Sequence, residues 1–201
     1  MSSNIRIALG IGLISIVSLS LYFIMVSTEV DDYSTNIQTQ RTIKDVWYSN
    51  NFESPFVKTN TPFHRLSYFP PNQDFKVTAR FTKGDGVDST NLITNLGEAQ
   101  SYLIYGTATF YIEQNEYTVQ LLDLGDGKNL FLPFMDSTSG NITYGAGRYL
   151  EPSMPIGEEI ILDFNMAYNP YCAYVEGFSC PFPPKSNILK VSIEAGEKSY
   201  H

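Results

Sequence analysis

The densest polar chemistry of this sequence lies between Pro133 and Pro184. Asp136 to Gly140 reads as a turn after an apolar strand, and Thr143 to Leu150 follows. In an extended segment Tyr144, Ala146, Arg148 and Leu150 share one face, and Gly145 and Gly147 leave the other bare. Bare glycines admit a backbone, a ring or a ligand. In the next strand Ile160, Leu162 and Phe164 point one way, and Ile161, Asp163 and Asn165 the other. If the two strands pair across residues 151–158, Arg148 meets Asp163, with Asp136 in reach. One chemistry is a structural ion pair that fixes strand register. Another is a pocket for a small anionic or sugar-like ligand. Arg148 is its fork, and Tyr144, Tyr149 and Tyr168 are its walls. A third is acid–base hydrolysis of a glycosidic bond by Asp136 and Asp163.

Cys172 and Cys180 are separated by seven residues. A disulfide is the simplest reading, because thiols oxidise outside the cell membrane. Its loop of about nine residues contributes roughly 2.5 kcal/mol. Zinc would need two more ligands nearby. Redox chemistry is the third reading, without a Cys-x-x-Cys motif. The prolines at 170, 181, 183 and 184 stiffen this loop into a lid over a barrel end or a docking surface. Asn141-Ile142-Thr143 is a glycosylation sequon.

Other catalytic signatures are missing. The two histidines are His64, in an apolar-flanked loop, and the terminal His201. The sequence has no Gly-x-Ser-x-Gly elbow, no His-Glu-x-x-His and no Walker loop. Gly125-Asp126-Gly127-Lys128 reads as a turn. The expectation leans away from an enzyme and names no metal and no cofactor.

These residues sit in a chain of 201 residues and 22.6 kDa, with 14% aromatic and only 17% charged residues. That composition excludes a disordered chain. A net charge of −8 and a pI near 4.7 argue against nucleic acid and anionic lipid headgroups as partners.

Ile7 to Val26 is an uncharged apolar run. Twenty residues at ~1.5 Å each reach ~30 Å, the thickness of a bilayer core. Arg6 precedes it, and Glu29, Asp31 and Asp32 follow. Positive-inside bias then places the N-terminus inside and the remainder outside. A cleaved signal peptide is the rival reading. The expected layout is therefore a cytoplasmic stretch (1–6), an anchor (7–26), a polar tether (27–40) and an extracytoplasmic domain (41–201). The expected address is the cell membrane, single-pass, with the membrane met through residues 7–26.

Period-two patterning dominates the domain. Phe75, Val77, Ala79 and Phe81 alternate with polar residues, and residues 102–113 and 116–123 flank a turn at Gln114-Asn115. Further strands are expected at 129–134, 143–150, 159–165 and 189–194, and one short helix at 42–49. The expected fold is all-β, an antiparallel barrel or sandwich of about 7–9 short strands after a transmembrane helix.

Several blocks carry a resemblance. They include Leu130-Phe131-Leu132-Pro133-Phe134-Met135-Asp136 and Thr143 through Leu150. Others are Leu162 through Ala173, Cys180 through Asn187 and Ile193 through Lys198. Over roughly residues 41–198 the chain resembles domain-of-unknown-function family 1684. Met166 and Phe182 depart from its pattern, and residues 84–100 match poorly. The resemblance brings no established activity. It implies that Asp136, Arg148, Asp163, Asn165, Asn169 and the two cysteines form one site. It also implies a metal or thiol role for Cys172 and Cys180 beside the disulfide reading, because similar chains without an export segment keep the pair.

The expected function is a binding module for a small molecule or an envelope protein. An envelope hydrolase using Asp136 and Asp163 is the alternative, and a purely structural envelope protein the third.

Overall fold

This computed structural model describes residues 32–200, together with Tyr22 and Met25. Seven strands among them form one antiparallel sheet: β1 (Lys76–Lys83), β2 (Ser89–Ile93), β3 (Ala99–Ile112), β4 (Asn115–Asp123), β5 (Leu130–Phe134), β6 (Arg148–Leu150) and β7 (Glu159–Asp163). The order is β6–β5–β4–β3–β1–β7, and β2 pairs with β3. The alternation in β1 is realised: Ala79 and Phe81 are buried, and Lys76, Thr78, Arg80 and Thr82 are exposed. The β3–β4 turn comes one residue earlier than expected. Glu113 and Gln114 take φ of 50° and 64°, and Ile112 faces Asn115. Two successive positive φ angles match the twist of a tight hairpin.

β3 makes the sheet curl. Its register shifts between Ile104 and Gly106. Residues 99–103 pair with β2, residues 106–109 pair with β1, and β4 pairs on both sides of the shift, from Ile104 to Ile112. Such a bulge bends a long strand. The result is a curled half-barrel. A stitch across the open side joins β6 to the chain after β7: Tyr149 N–H donates to Tyr168 O at 2.8 Å, and Tyr168 N–H returns the bond at 2.9 Å.

The curl encloses a core that includes Ala79, Phe110, Leu121, Leu132, Phe134, Leu162, Phe164 and Ile193. On the other face, Leu92, Leu122, Phe131 and Tyr149 make a second cluster against Tyr168. β5 lies between the two, which is why all five of its residues are buried. A third cluster of Tyr48, Phe56, Leu66, Tyr174 and Val175 ties the N-terminal helices to residues 171–178.

The N-terminal helices differ most from expectation. α1 covers residues 32–50, reaching far ahead of the short helix expected at 42–49 and through much of the expected tether. Its inward stripe is Ile37, Arg41, Lys44 and Tyr48, spaced as one helical face. α2 (Pro55–Thr59) starts with Ser54, whose Oγ accepts the Phe56 N–H at 3.2 Å, and with Pro55 at the first helical position.

The anchor read at residues 7–26 lies outside the described residues apart from Tyr22 and Met25. Among the described residues, no helix is long and apolar enough to cross a membrane. This overturns the transmembrane part of the expected fold class, and with it the single-pass placement in the cell membrane. The helix before the sheet carries Asp32, Arg41, Lys44 and Asp45, charges that are costly in hydrocarbon. It docks instead on Asp163 at the end of β7 and on Phe69, Asn165 and Glu197.

Two expected strands are also shorter or different. Only residues 148–150 of the 143–150 segment are a strand, because residues 138–143 close a turn in which Ile142 and Thr143 N–H both reach Thr138 O. Residues 189–194 keep the expected alternation but lie beside residues 135–137 as an irregular strip, with Leu189 N–H on Met135 O at 2.8 Å.

Candidate functional site

Arg148 leaves β6 opposite Phe134 of β5, so it meets Asp136 two residues further along. Its Nη2 is 2.6 Å from Asp136 Oδ2, and neither side chain has any exposure. The guanidinium also donates to the carbonyls of Ile193, Ala195 and Glu197. Asp136 Oδ1 accepts from the backbone N–H and hydroxyl of Thr138. Burial lowers the guanidinium pKa, while Asp136 works against that and keeps it charged. Gly147 sets the approach: it takes φ of 94°, and a Cβ there would lie 2.5 Å from Phe134 O. The expected Arg148–Asp163 pair does not form. β7 pairs with β1 at the far edge of the sheet, with Asp163 opposite Lys76. Arg148 is therefore a structural cation: both terminal nitrogens are engaged, its buried Nε has no partner, and the side chain is sealed from any ligand.

Asp163 belongs to a second group. Tyr33 of α1 donates its hydroxyl to both carboxylate oxygens at 2.9 and 3.0 Å. Asn165 donates through its backbone and side-chain N–H. The Asn165 side chain also pairs with the backbone of Asn72 at 2.7 and 2.8 Å. Burial, then the Asp163 bond, push the Tyr33 phenol pKa up. Asp136 and Asp163 thus face different partners, and no single bond has both of them beside it.

Asn169 belongs to a third group, around the buried carboxylate of Glu197. Lys44 Nζ is 2.7 Å from Glu197 Oε1. Asn169 N–H donates to Oε2 at 2.9 Å, and Tyr174 donates its hydroxyl to the same oxygen. Gly196 makes this possible, with φ of 76° and a would-be Cβ 2.6 Å from Ala167 O.

Tyr149 and Tyr168 line a cavity. The stitch that closes the half-barrel places Tyr149 and Tyr168 with ring centroids 5.9 Å apart and planes at 90°. Tyr171 and Phe178 meet at 5.3 Å and 80°. These two edge-to-face pairs come from different satellite clusters. The seam between them is a cavity of about 220 Å³, completed by Pro170, Ser179, Cys180 and Pro181. Two of the tyrosine hydroxyls are engaged: Tyr149 donates to Pro181 O at 2.7 Å and Tyr168 to Glu151. Lys44 Nζ stands 4.3 Å from the Tyr168 ring centroid, a cation–π contact. Larger clefts of about 500 and 580 Å³ meet at Lys76, Asp163 and Met166. The first runs along the outer edge of β7, where Ile156 is 87% exposed.

The cysteines adjoin the aromatic cavity. Both are free thiols, Cys172 half-buried and Cys180 buried. Cys172 N–H donates to Cys180 Sγ at 3.3 Å. Tyr144 Oη lies 3.8 Å from Cys172 Sγ. Hydrogen bonding from Cys180 is the main cause that lowers the Cys172 thiol pKa to about 7, with Tyr144 adding to it against burial. Cys180 is pushed well up by the same pairing. Among the described residues, no group of three or more His, Cys, Asp and Glu is placed to hold a metal ion.

The eight expected ligand residues therefore divide among four places rather than one. Tyr33, Arg41, Lys44, Glu197, Tyr171 and Phe178 were missed. Glu197 stood in a block of the resemblance. Tyr33, Arg41 and Lys44 gave no signal, because a polar helical stripe looks like a solvated one.

A family model described as Protein of unknown function (DUF1684) matches residues 61–198. That span holds the four groups apart from their α1 contributions. The solution NMR structure of an uncharacterized protein from Haloarcula marismortui is 34% identical, with a TM-score of 0.66. The match covers 86% of this chain and 98% of that one. No curated protein matches the chain. By the family match and by this similarity over most of both chains, the chain belongs to the DUF1684 family.

Proposed function

We propose that this domain is a small-molecule-binding module, and that the cavity between Tyr149, Tyr168, Tyr171 and Phe178 is its site. The observation that carries this reading is the seam itself. Two orthogonal aromatic pairs bound about 220 Å³ that neither cluster fills. Ligand cavities are mostly apolar with a few placed polar groups. Here the polar residues beside the tyrosines are Ser179, whose hydroxyl donates to Glu98 at 2.9 Å, and Cys180. The volume lies below the range of about 300–1,000 Å³ that suits drug-sized molecules, so the ligand is a single compact ring. It is not an anion, because Arg148 is sealed elsewhere and no cation is among the residues that line the cavity.

The hydrolase alternative lacks support. Its two carboxylates belong to different groups, and Asp136 is closed against Arg148.

Amide and aromatic NMR shifts during titration with neutral one-ring compounds test the reading. Shifts grouped at Tyr149, Tyr168, Phe178 and Ser179 are expected. Shifts grouped at Tyr33, Lys76 and Asp163 would move the site to the cleft and overturn the proposal.

A further inference from the structure

We propose that Cys172 and Cys180 form a thiol–disulfide exchange centre that reduces small organic disulfides, with Tyr144 as a hydrogen-bond donor to the attacking sulfur. The inference goes beyond ring binding and stands if that reading fails.

Geometry assigns the roles. Cys180 Sγ is held over the Cys172 backbone, accepting its N–H at 3.3 Å. The sulfurs are thus neighbours although seven residues separate them in the chain. Pro170 precedes the first cysteine by two residues and Pro181 follows the second directly, and prolines fix the backbone on both flanks. Cys172 is the half-exposed thiol, and Cys180 is the buried one in the cavity wall. Solvent-borne disulfide therefore meets Cys172 first. Tyr144 Oη, 3.8 Å from that sulfur, can donate to it. A phenol held protonated, its pKa pushed up to about 12 by burial and by the adjacent sulfur, is a donor throughout the neutral range.

Electrostatics supports the same order. Cys172, at about 7 against an ordinary 9.0, is half ionised at neutral pH, whereas Cys180 keeps its proton. The thiolate fraction rises about 50-fold, and lower basicity removes roughly eightfold of nucleophilicity, so the net gain is about sixfold. The gain is modest; proximity of the second sulfur does the rest.

The step balances without a cofactor. Cys172 thiolate attacks one sulfur of R–S–S–R, forming Cys172–S–S–R and releasing R–S⁻. The Cys180 thiol gives its proton to a leaving thiolate, and its sulfur attacks Cys172 Sγ. The Cys172–S–R bond breaks and the second R–S⁻ departs, taking up a proton from solvent. Two electrons pass from the cysteine pair to the substrate disulfide, giving two R–SH and one internal disulfide.

Oxidised glutathione is the probe. The reduced full chain at pH 7 is mixed with it, quenched with acid and weighed intact. The expected product is two hydrogens lighter, with two glutathione thiols released per chain. Cys180→Ser stalls as the glutathione adduct. Cys172→Ser reacts more than tenfold slower. Tyr144→Phe shifts the midpoint of the pH–rate profile upward from about 7, a change that lost packing alone does not produce. Circular dichroism confirms that each variant is folded. Three results would overturn the proposal. The folded pair is inert to glutathione in both directions, Cys180→Ser gives no adduct, or Cys172 reacts no faster folded than in urea.

Discussion

Arg148 and Asp136 lie 2.6 Å apart with neither side chain exposed, and the same guanidinium binds three carbonyls of the C-terminal strip. One cation therefore joins β6, the turn after β5 and residues 193–197. Removing it leaves Asp136 as an unpaired buried charge. Arg148→Ala should lose about 3–5 kcal/mol of stability in urea titration. Arg148→Lys should recover little, because an ammonium lacks the fork that meets a carboxylate and several carbonyls together. A loss under 1 kcal/mol for Arg148→Ala would show the pair to be incidental.

Gly147 is placed by the same contact. Alanine there would need a left-handed φ and a Cβ 2.5 Å from Phe134 O. Gly147→Ala should destabilise by at least about 2 kcal/mol. Gly145→Ala has ordinary space around it and should stay near zero, which gives the control.

Lys44 holds α1 to Glu197. Lys44→Ala leaves that carboxylate with Tyr174 and Asn169 alone. Hydrogen exchange should then quicken about tenfold or more across residues 36–50 while the sheet keeps its protection, the mark of local undocking worth about 1–3 kcal/mol. Equal acceleration in β4 would mean that helix and sheet unfold together.

Alkaline pH should unfold the protein steeply. Tyr48, Tyr149, Tyr168 and Tyr174 have pKa values raised above the ordinary 10.0, with burial the first cause in each. Below pH 10.0 folded and unfolded chains both keep these protons. Above it the unfolded chain releases protons that the folded chain retains, so stability falls as pH rises. Each such phenol contributes about 1.4 kcal/mol per pH unit. Tyrosinate absorbance should therefore appear together with loss of circular dichroism. Gradual ionisation in a chain that stays folded would contradict this.

Particular residues show what was legible in the sequence. The strand of Val77, Ala79 and Phe81 was legible, because a half-buried strand writes its period into the residue types. Tyr149, Tyr168 and Cys180 stood out in the sequence as rings and a thiol among prolines and glycines, and the three line one cavity. The Arg148 partner was not legible. Alternation gives the face of a strand but not its neighbour, so Asp163 was the expected partner, with Asp136 only in reach, whereas β6 pairs with β5 and brings Arg148 to Asp136. α1 was hidden for another reason. Its inward stripe of Ile37, Arg41, Lys44 and Tyr48 docks by hydrogen bonds to Phe69 O and Asn165 O and by the Glu197 ion pair. Hydrophobic periodicity cannot register such a face. The anchor expected at residues 7–26 rested on hydropathy alone, and no described helix has the length and apolarity it required.

Calorimetry of a neutral one-ring compound against the wild type and Phe178→Ala bears most closely on the binding reading. Phe178 is half-buried and pairs edge-to-face with Tyr171, so its removal opens the cavity without touching β1–β7. The expected result is saturable one-to-one binding that weakens about tenfold or more in the variant, a loss of about 1.4 kcal/mol, with an unchanged amide spectrum for the sheet. Equal affinity in both proteins would contradict a site at the aromatic seam.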